Sequence, residues 1–198
     1  MVVAPLDRQD SQARIRFSLH AQTTMTAKNT IDSWGVVSRA FHWIIVLLIV
    51  FQGTTGLLRS ALPRGTMDFH KSVGITILVL AILRVVWRVY AGAPRAVEGT
   101  SRWQSLAASA MHGVLYAMIF IVPITGWIVS DSGKRPLAWF GIPMPDFIPL
   151  NEDLHKSFEY WHEQMFWVLV VVASAHMLAA LYHHLFVRDR TLIRMLKG

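Results

Sequence analysis

The sequence predicts an all-α protein, a four-helix transmembrane bundle with both termini in the cytoplasm. Three observations carry this expectation. Only 16% of the 198 residues are charged, 54% are hydrophobic, and the mean hydropathy is +0.41; soluble domains carry about 25% charged residues. Four apolar runs, Val36–Leu58, Lys71–Tyr90, Leu106–Val129 and Trp161–Tyr182, each come close to the ~20 residues a helix needs to cross the hydrocarbon layer. Four spans leave both termini on one side, and that side collects thirteen of the nineteen Lys and Arg. The positive-inside rule makes it the cytoplasmic side.

The same charge distribution explains the net charge of +7 as a topology signal, so nucleic acid is not the implied partner. The chain has no cysteine, which excludes a disulfide framework and thiolate-held iron–sulfur or zinc sites. Metal chemistry would have to use histidine or oxygen ligands.

Residues 1–33 are polar, mixed in charge and without helical apolar periodicity. They read as a disordered cytoplasmic extension rather than a secretory signal, with Met25 an alternative start. Residues 34–198 form the four-span domain. The first span opens with Arg39 and His42 and ends in Gly53-Thr54-Thr55-Gly56, small residues that let a flat cofactor or a neighbouring helix approach the backbone. A short outer loop with Pro63 and Gly65 leads to His70 and Lys71, which open the second span. That span descends to Arg84 and Arg88, basic residues placed to snorkel at the inner end. After a Pro/Gly-rich linker the third span carries His112 early and Pro123 late, the latter a predicted kink. The second outer loop is the long one, rich in proline and aromatic residues, and is expected to fold back as a cap. A basic tail, VRDRTLIRMLKG, follows the fourth span.

The fourth span holds the most informative pattern. His162, His176 and His183 are spaced by fourteen and seven residues, which at about 100° per residue puts all three on one helix face. His162 and His176 are ~21 Å apart along the axis at 1.5 Å per residue, so they occupy two depths. By depth, His70 joins His162 near the outer face, while His42 and His112 join His176 near the inner face. One histidine from each of two facing helices is what axial ligation of a b-type haem requires. Two haem b groups are expected, with His70 and His162 as outer iron ligands and His42 and His176 as inner ones. His112 lies where it could replace His42; Arg39 and Trp43 beside His42 favour His42. Each histidine alone could be a hydrogen-bonded residue at a helix end, but intramembrane ionisable residues at matched depths are costly without a function. His183 is either a donor to a quinone carbonyl beside the inner haem or a snorkelling residue, and His184 is read as snorkelling. Arg39, Arg84 and Arg88 serve as topology anchors and as partners for haem propionates.

The segments RAFHW, FHKSVG, MHGVLYAMIFIVPITGW and WHE…AHMLAALYHHLFVRDRTLIRM resemble the prokaryotic cytochrome b561 family, from about Trp34 to the C-terminus. That family includes the bacterial membrane-bound superoxide oxidase. The resemblance implies a four-helix, di-haem, quinone-linked protein of the bacterial inner membrane. It puts the outer ligands on His70 and His162, the inner ligands on His42 and His176, and His183 near the quinone. It further implies that superoxide is oxidised to oxygen outside and ubiquinone reduced inside. Lys71, Arg59 and Arg64 are the residues expected to steer the anion at the outer mouth. The first outer loop nets +2 and the second −3, which departs from a uniformly cationic mouth. The rival readings are a quinol-oxidising cytochrome that passes electrons to a periplasmic redox protein, and a non-redox membrane protein such as a structural or metal-transport subunit.

Overall fold

The computed structural model describes residues 26–63, 65–133 and 137–198. Four long helices, α1 (Val36–Leu57), α2 (Thr66–Ala91), α3 (Arg102–Ser132) and α4 (Glu152–Tyr182), are each long and apolar enough to cross a membrane. A π-helical turn, His183–Val187, and a short helix, α5 (Thr191–Leu196), complete the chain. The end of the bundle with the α1–α2 and α3–α4 connections is termed outer, and the end with the tail inner.

The first helix matches its apolar run to within a residue, whereas the other three run further, and at α3 and α4 capping groups carry the helix into polar sequence. Ser101 and Gln104 form a reciprocal capping box at the start of α3. At α4 the Asn151 side chain accepts from Leu154 N, and Glu152 and Asp153 occupy the first turn, where the helix dipole favours negative charge. Gly92 ends α2 at φ +71°, a backbone conformation that costs a side chain dearly.

Neighbouring helices pack in chain order, most extensively α3 with α4, then α1 with α2 and α2 with α3. The backbones of α1 and α4 keep apart over most of their length. Buried apolar residues such as Ile45, Val73, Ile77, Met118 and Leu169 form a narrow core, whereas Leu47, Val50, Val89, Val171 and Leu178 are exposed. Exposed apolar residues on spanning helices face lipid, and each helix satisfies its own backbone hydrogen bonds there.

The outer loop caps α2. Strands β1 (Ala138–Trp139) and β2 (Ile142–Pro143) form a minimal hairpin, with Phe140 and Gly141 both at positive φ in the turn. Its twist matches the strands only with such residues. Trp139 Nε1 donates to Thr76 Oγ1 at 3.1 Å, and Phe140 N donates to the buried Ser72 hydroxyl at 3.0 Å.

At the inner end, residues 26–33 depart from the extension predicted for them. Asn29 donates from Nδ2 to Gly92 O, and its Oδ1 accepts from Gly35 N and Ser38 Oγ. Arg95 N donates to Ile31 O, and Lys28 lies over the Tyr90 ring. Polar composition hid this collar, because its hydrogen bonds go to loop backbone distant in sequence. The rest of the expected extension, residues 1–25, lies outside the described residues. The tail folds back beneath α1: Trp43 Nε1 donates to Met195 O, Arg39 Nη1 to Leu196 O, and the buried Arg194 donates to Arg95 O.

Candidate functional site: two histidine pairs across the bundle

At the outer end, His70 near the start of α2 faces His162 on α4 with ring centres 6.4 Å apart at 81°. At the inner end, His42 on α1 faces His176 on α4, also at 6.4 Å, at 77°. His112 on α3 stands closer to His176, at 5.1 Å. A metal bonded at about 2 Å to one nitrogen of each ring, with each nitrogen ~1.1 Å from its ring centre, needs centres ~6.2 Å apart. Both 6.4 Å pairs fit a bis-imidazole centre, and the 5.1 Å pair is too short for one. Among the described residues, no group of three or more His, Asp or Glu side chains is arranged to hold a lone metal ion.

The outer pair is prepared by hydrogen bonds. Thr55 Oγ1 spends its hydrogen on the Phe51 and Gln52 carbonyls, so it accepts from His70 Nδ1 at 2.9 Å. His162 Nδ1 donates to Val122 O at 2.9 Å and lies 3.1 Å from Thr125 Oγ1, whose own hydrogen goes to the same carbonyl. Val122 precedes Pro123, whose missing N–H and ring disturb the ladder there. With the proton on Nδ1 in both rings, each Nε2 keeps a lone pair for a metal, the usual arrangement of ligating histidines.

Around this pair lies a cavity of about 410 Å³ lined in part by His70, His162, Gly53, Gly56, Gly126 and Phe166. The glycines hold it open. A Cβ on Gly126 would stand 3.0 Å from His162 Cε1, and one on Gly53 would stand 3.1 Å from the Phe166 ring. A flat macrocycle between α1 and α4 suits this wall. Gly53 and Gly56 were visible in the sequence as a small-residue run. Thr55 was visible only as a member of that run and not as a hydrogen-bond partner, and Gly126, Thr125 and Val122 were not singled out, although Thr125-Gly126 just after Pro123 was a readable signal.

The inner pair is differently dressed. Arg84 Nη2 donates to His42 Nδ1 at 3.2 Å, and its guanidinium lies 5.4 Å from the Tyr116 ring centre. Arg88 lies over the Trp34 ring at 4.8 Å. Arg39 is engaged with the tail, where its guanidinium underlies Gly198. His183 does not join the inner rings. Its Nδ1 donates to Asp189 Oδ2 at 2.5 Å, while Asp189 Oδ1 accepts from Thr191 N and so ties the π-helical turn to α5. Partial burial pushes the Asp189 carboxyl up, but the Thr191 N–H and the His183 ring outweigh it and hold it below the ordinary value.

At the outer mouth, Lys71 and Arg59 both line the cavity, together with Glu159 and Glu163. Arg59 pairs with Glu159 at 3.3 Å. Two cations therefore meet two carboxylates. Arg64, the third expected steering residue, lies outside the described residues.

Comparison with known proteins agrees with this architecture. The chain is 31% identical over 183 residues to cytochrome b561 homolog 2 of Escherichia coli (strain K12), covering 87% of this chain and 95% of that protein. It is 27% identical to cytochrome b561 homolog 1 of the same organism, covering 78% of this chain and 92% of that one. It is 30% identical to the probable superoxide oxidase CybB of Yersinia pestis, covering 78% and 90%. Residues 33–198 match the profile of prokaryotic cytochrome b561, a family of membrane electron-transfer proteins that carry haem b, and the chain belongs to that family.

Proposed function

We propose that this protein carries electrons between the periplasmic face of the bacterial inner membrane and the quinone pool through two bis-histidine haem b centres, oxidising superoxide and reducing ubiquinone. The observation that carries the reading is the recurrence of one geometry at two depths: two histidine pairs with ring centres 6.4 Å apart. The similarity to the probable superoxide oxidase CybB supports the choice of substrate.

When bound, the haems supply reversible one-electron chemistry, and the protein supplies their placement and surroundings. His70 and His162 hold the outer group, with Thr55 and Val122 fixing the rings. His42 and His176 hold the inner one, with His112 beside it. Arg39, Arg84 and Arg88 offer donors to acidic groups at the inner end. Superoxide approaches through the mouth lined by Lys71 and Arg59 and gives up one electron to become oxygen. Ubiquinone at the inner end takes two electrons, one from each of two superoxide ions, and two protons from the cytoplasm to become the quinol. His183, held through Nδ1 by Asp189, presents its other nitrogen for a bond to the quinone oxygen. Both termini lie in the cytoplasm, where the basic tail meets anionic lipid.

One observation favours a second reading. The Arg59–Glu159 pair and Glu163 offset the positive charge at the mouth, which suits a basic periplasmic protein better than a small anion. The test is to purify the full chain, count haems, and mix it with superoxide and ubiquinone. Two haems per chain, reduced by superoxide and reoxidised by ubiquinone, are expected. In His70→Ala and His162→Ala the ratio falls to one and superoxide no longer reduces the remainder. Two haems without superoxide reduction, but with rapid electron transfer to a basic carrier, would select the second reading.

A further inference from the structure

We propose that the hairpin of residues 137–144 is embedded in the outer leaflet of the bilayer, where it forms a lipid-held wall of the outer site. The proposal concerns how the chain meets the membrane and is independent of the reaction assigned above.

The segment, LAWFGIPM, carries no charge; Lys134 and Arg135 precede it and Asp146 follows it. Its tip departs from the rule for turns in water. Two-residue hairpin turns with both φ values positive favour Asn-Gly or Asp-Gly, yet Phe140 (φ +48°) and Gly141 (φ +89°) make this one. A bulky residue in that conformation is strained, and Phe140 is still 55% exposed. Ile142, on the second strand, is 61% exposed. The Phe140 ring meets Phe69 edge to face at 5.6 Å, and Phe69 meets Phe51 in the same way at 5.6 Å. The tip thus continues the exposed apolar surface that α1 and α2 turn to lipid.

The hairpin lies beside α2 rather than beyond its end, anchored on Ser72 and Thr76. Asp68 and Arg88, twenty residues apart on that helix, span about the 30 Å of the hydrocarbon layer, which puts Ser72 and Thr76 roughly 6 and 12 Å inside it. Phe147, later in the same loop, sits far from that depth. Its N–H is held by Asp131, nine residues beyond the Val122 carbonyl that meets His162, or roughly 13 Å further out.

Non-helical backbone at membrane depth has to be satisfied within the protein. The two strands pair with each other, and Met144 N donates to Leu137 O. Phe140 N donates to Ser72 Oγ, whose own hydrogen is shared between the Asp68 and Ala138 carbonyls. The one polar side-chain group of the segment, Trp139 Nε1, donates to Thr76 Oγ1. Leu137 is 2% exposed and lines the outer cavity, so the inserted hairpin separates that cavity from the bilayer. Moving the exposed halves of Phe140 and Ile142 from water into lipid buries about one side chain's worth of apolar surface, which favours insertion roughly 10- to 150-fold.

The experiment uses the full chain in lipid nanodiscs, where both faces meet water. Hydroxyl-radical footprinting compares Phe140 with Phe147, which are 55% and 72% exposed in the protein alone. Phe140 should be modified at least about tenfold more slowly, the lower limit of that equilibrium. A second measurement exploits the absence of cysteine. Ile142→Cys and Leu150→Cys are each labelled with a fluorophore; spin-labelled lipid should quench the first, and aqueous iodide the second. Equal modification of Phe140 and Phe147, or iodide quenching at 142 as strong as at 150, would overturn the insertion and leave the hairpin to water or to a periplasmic partner. Protection of Phe140 without quenching at 142 by the spin-labelled lipid would overturn it as well, because protein and not lipid would then cover the tip.

Discussion

Gly126 gives the sharpest test of the outer site, because its surroundings allow the cost of one methyl group to be worked out. In Gly126→Ala the new Cβ would stand 3.0 Å from His162 Cε1, 3.3 Å from Nδ1 and 3.6 Å from Nε2. Carbon atoms pack best at about 3.5–4.0 Å, so the ring would have to retreat by ~0.5 Å or more. It is not free to do so, since Nδ1 is tied to Val122 O at 2.9 Å. Overpacking of this kind costs about 1–3 kcal/mol, which is roughly a 5- to 150-fold loss in loading of the outer haem. The assay is the haem-to-protein ratio of the purified full chain at graded haem supply, with reduced-minus-oxidised spectra to identify the centre retained. Gly113→Ala is the control, because a Cβ there meets nothing within 4 Å. The expected result is selective depletion of the outer centre in Gly126→Ala alone. Full loading with an unchanged spectrum would refute the argument that this ring is both a ligand and rigidly held.

Three further outcomes follow from the same structure. His42→Ala should lose the inner haem while His112→Ala keeps both, because His112 stands 5.1 Å from His176, too near to share an iron with it; haem counting would reverse the assignment if the losses were exchanged. Lys71→Glu should slow reduction by superoxide several-fold and leave quinol-driven reduction intact, with the wild-type rate falling as salt screens charge over about 8–10 Å; equal losses in both assays would point to a damaged site. Asp189 is held below its ordinary value on balance, so its stabilising effect on the tail is present at neutral pH and lost as the pH falls through its folded-state value. Protection of the tail from proteolysis should therefore drop in acid for the wild type and show no such step in Asp189→Asn.

The number of spans and the faces of the histidines were legible in the chain alone, for a common reason. Hydropathy over ~20 residues and the 3.6-residue repeat are local properties, so His162 and His176 could be put on one face of one helix at two depths without a fold. How far one helix stands from the next, and how each is rotated about its axis, is not a local property. Depth therefore left His42 and His112 as alternatives, with the neighbours Arg39 and Trp43 favouring His42, and the distances of 6.4 Å and 5.1 Å from His176 come from the packing alone. Loop charges of +2 and −3 already spoke against a uniformly cationic mouth, but the Arg59–Glu159 pair joins residues a hundred positions apart, and only the packing shows which cation meets which carboxylate. The acceptors that set the tautomers of His70 and His162 lie on α1 and α3. The collar at residues 26–33 and the tail beneath α1 are likewise held by backbone groups distant in sequence. A backbone carbonyl carries no residue identity, so such partners leave no mark in the sequence and appear only when the helices are assembled.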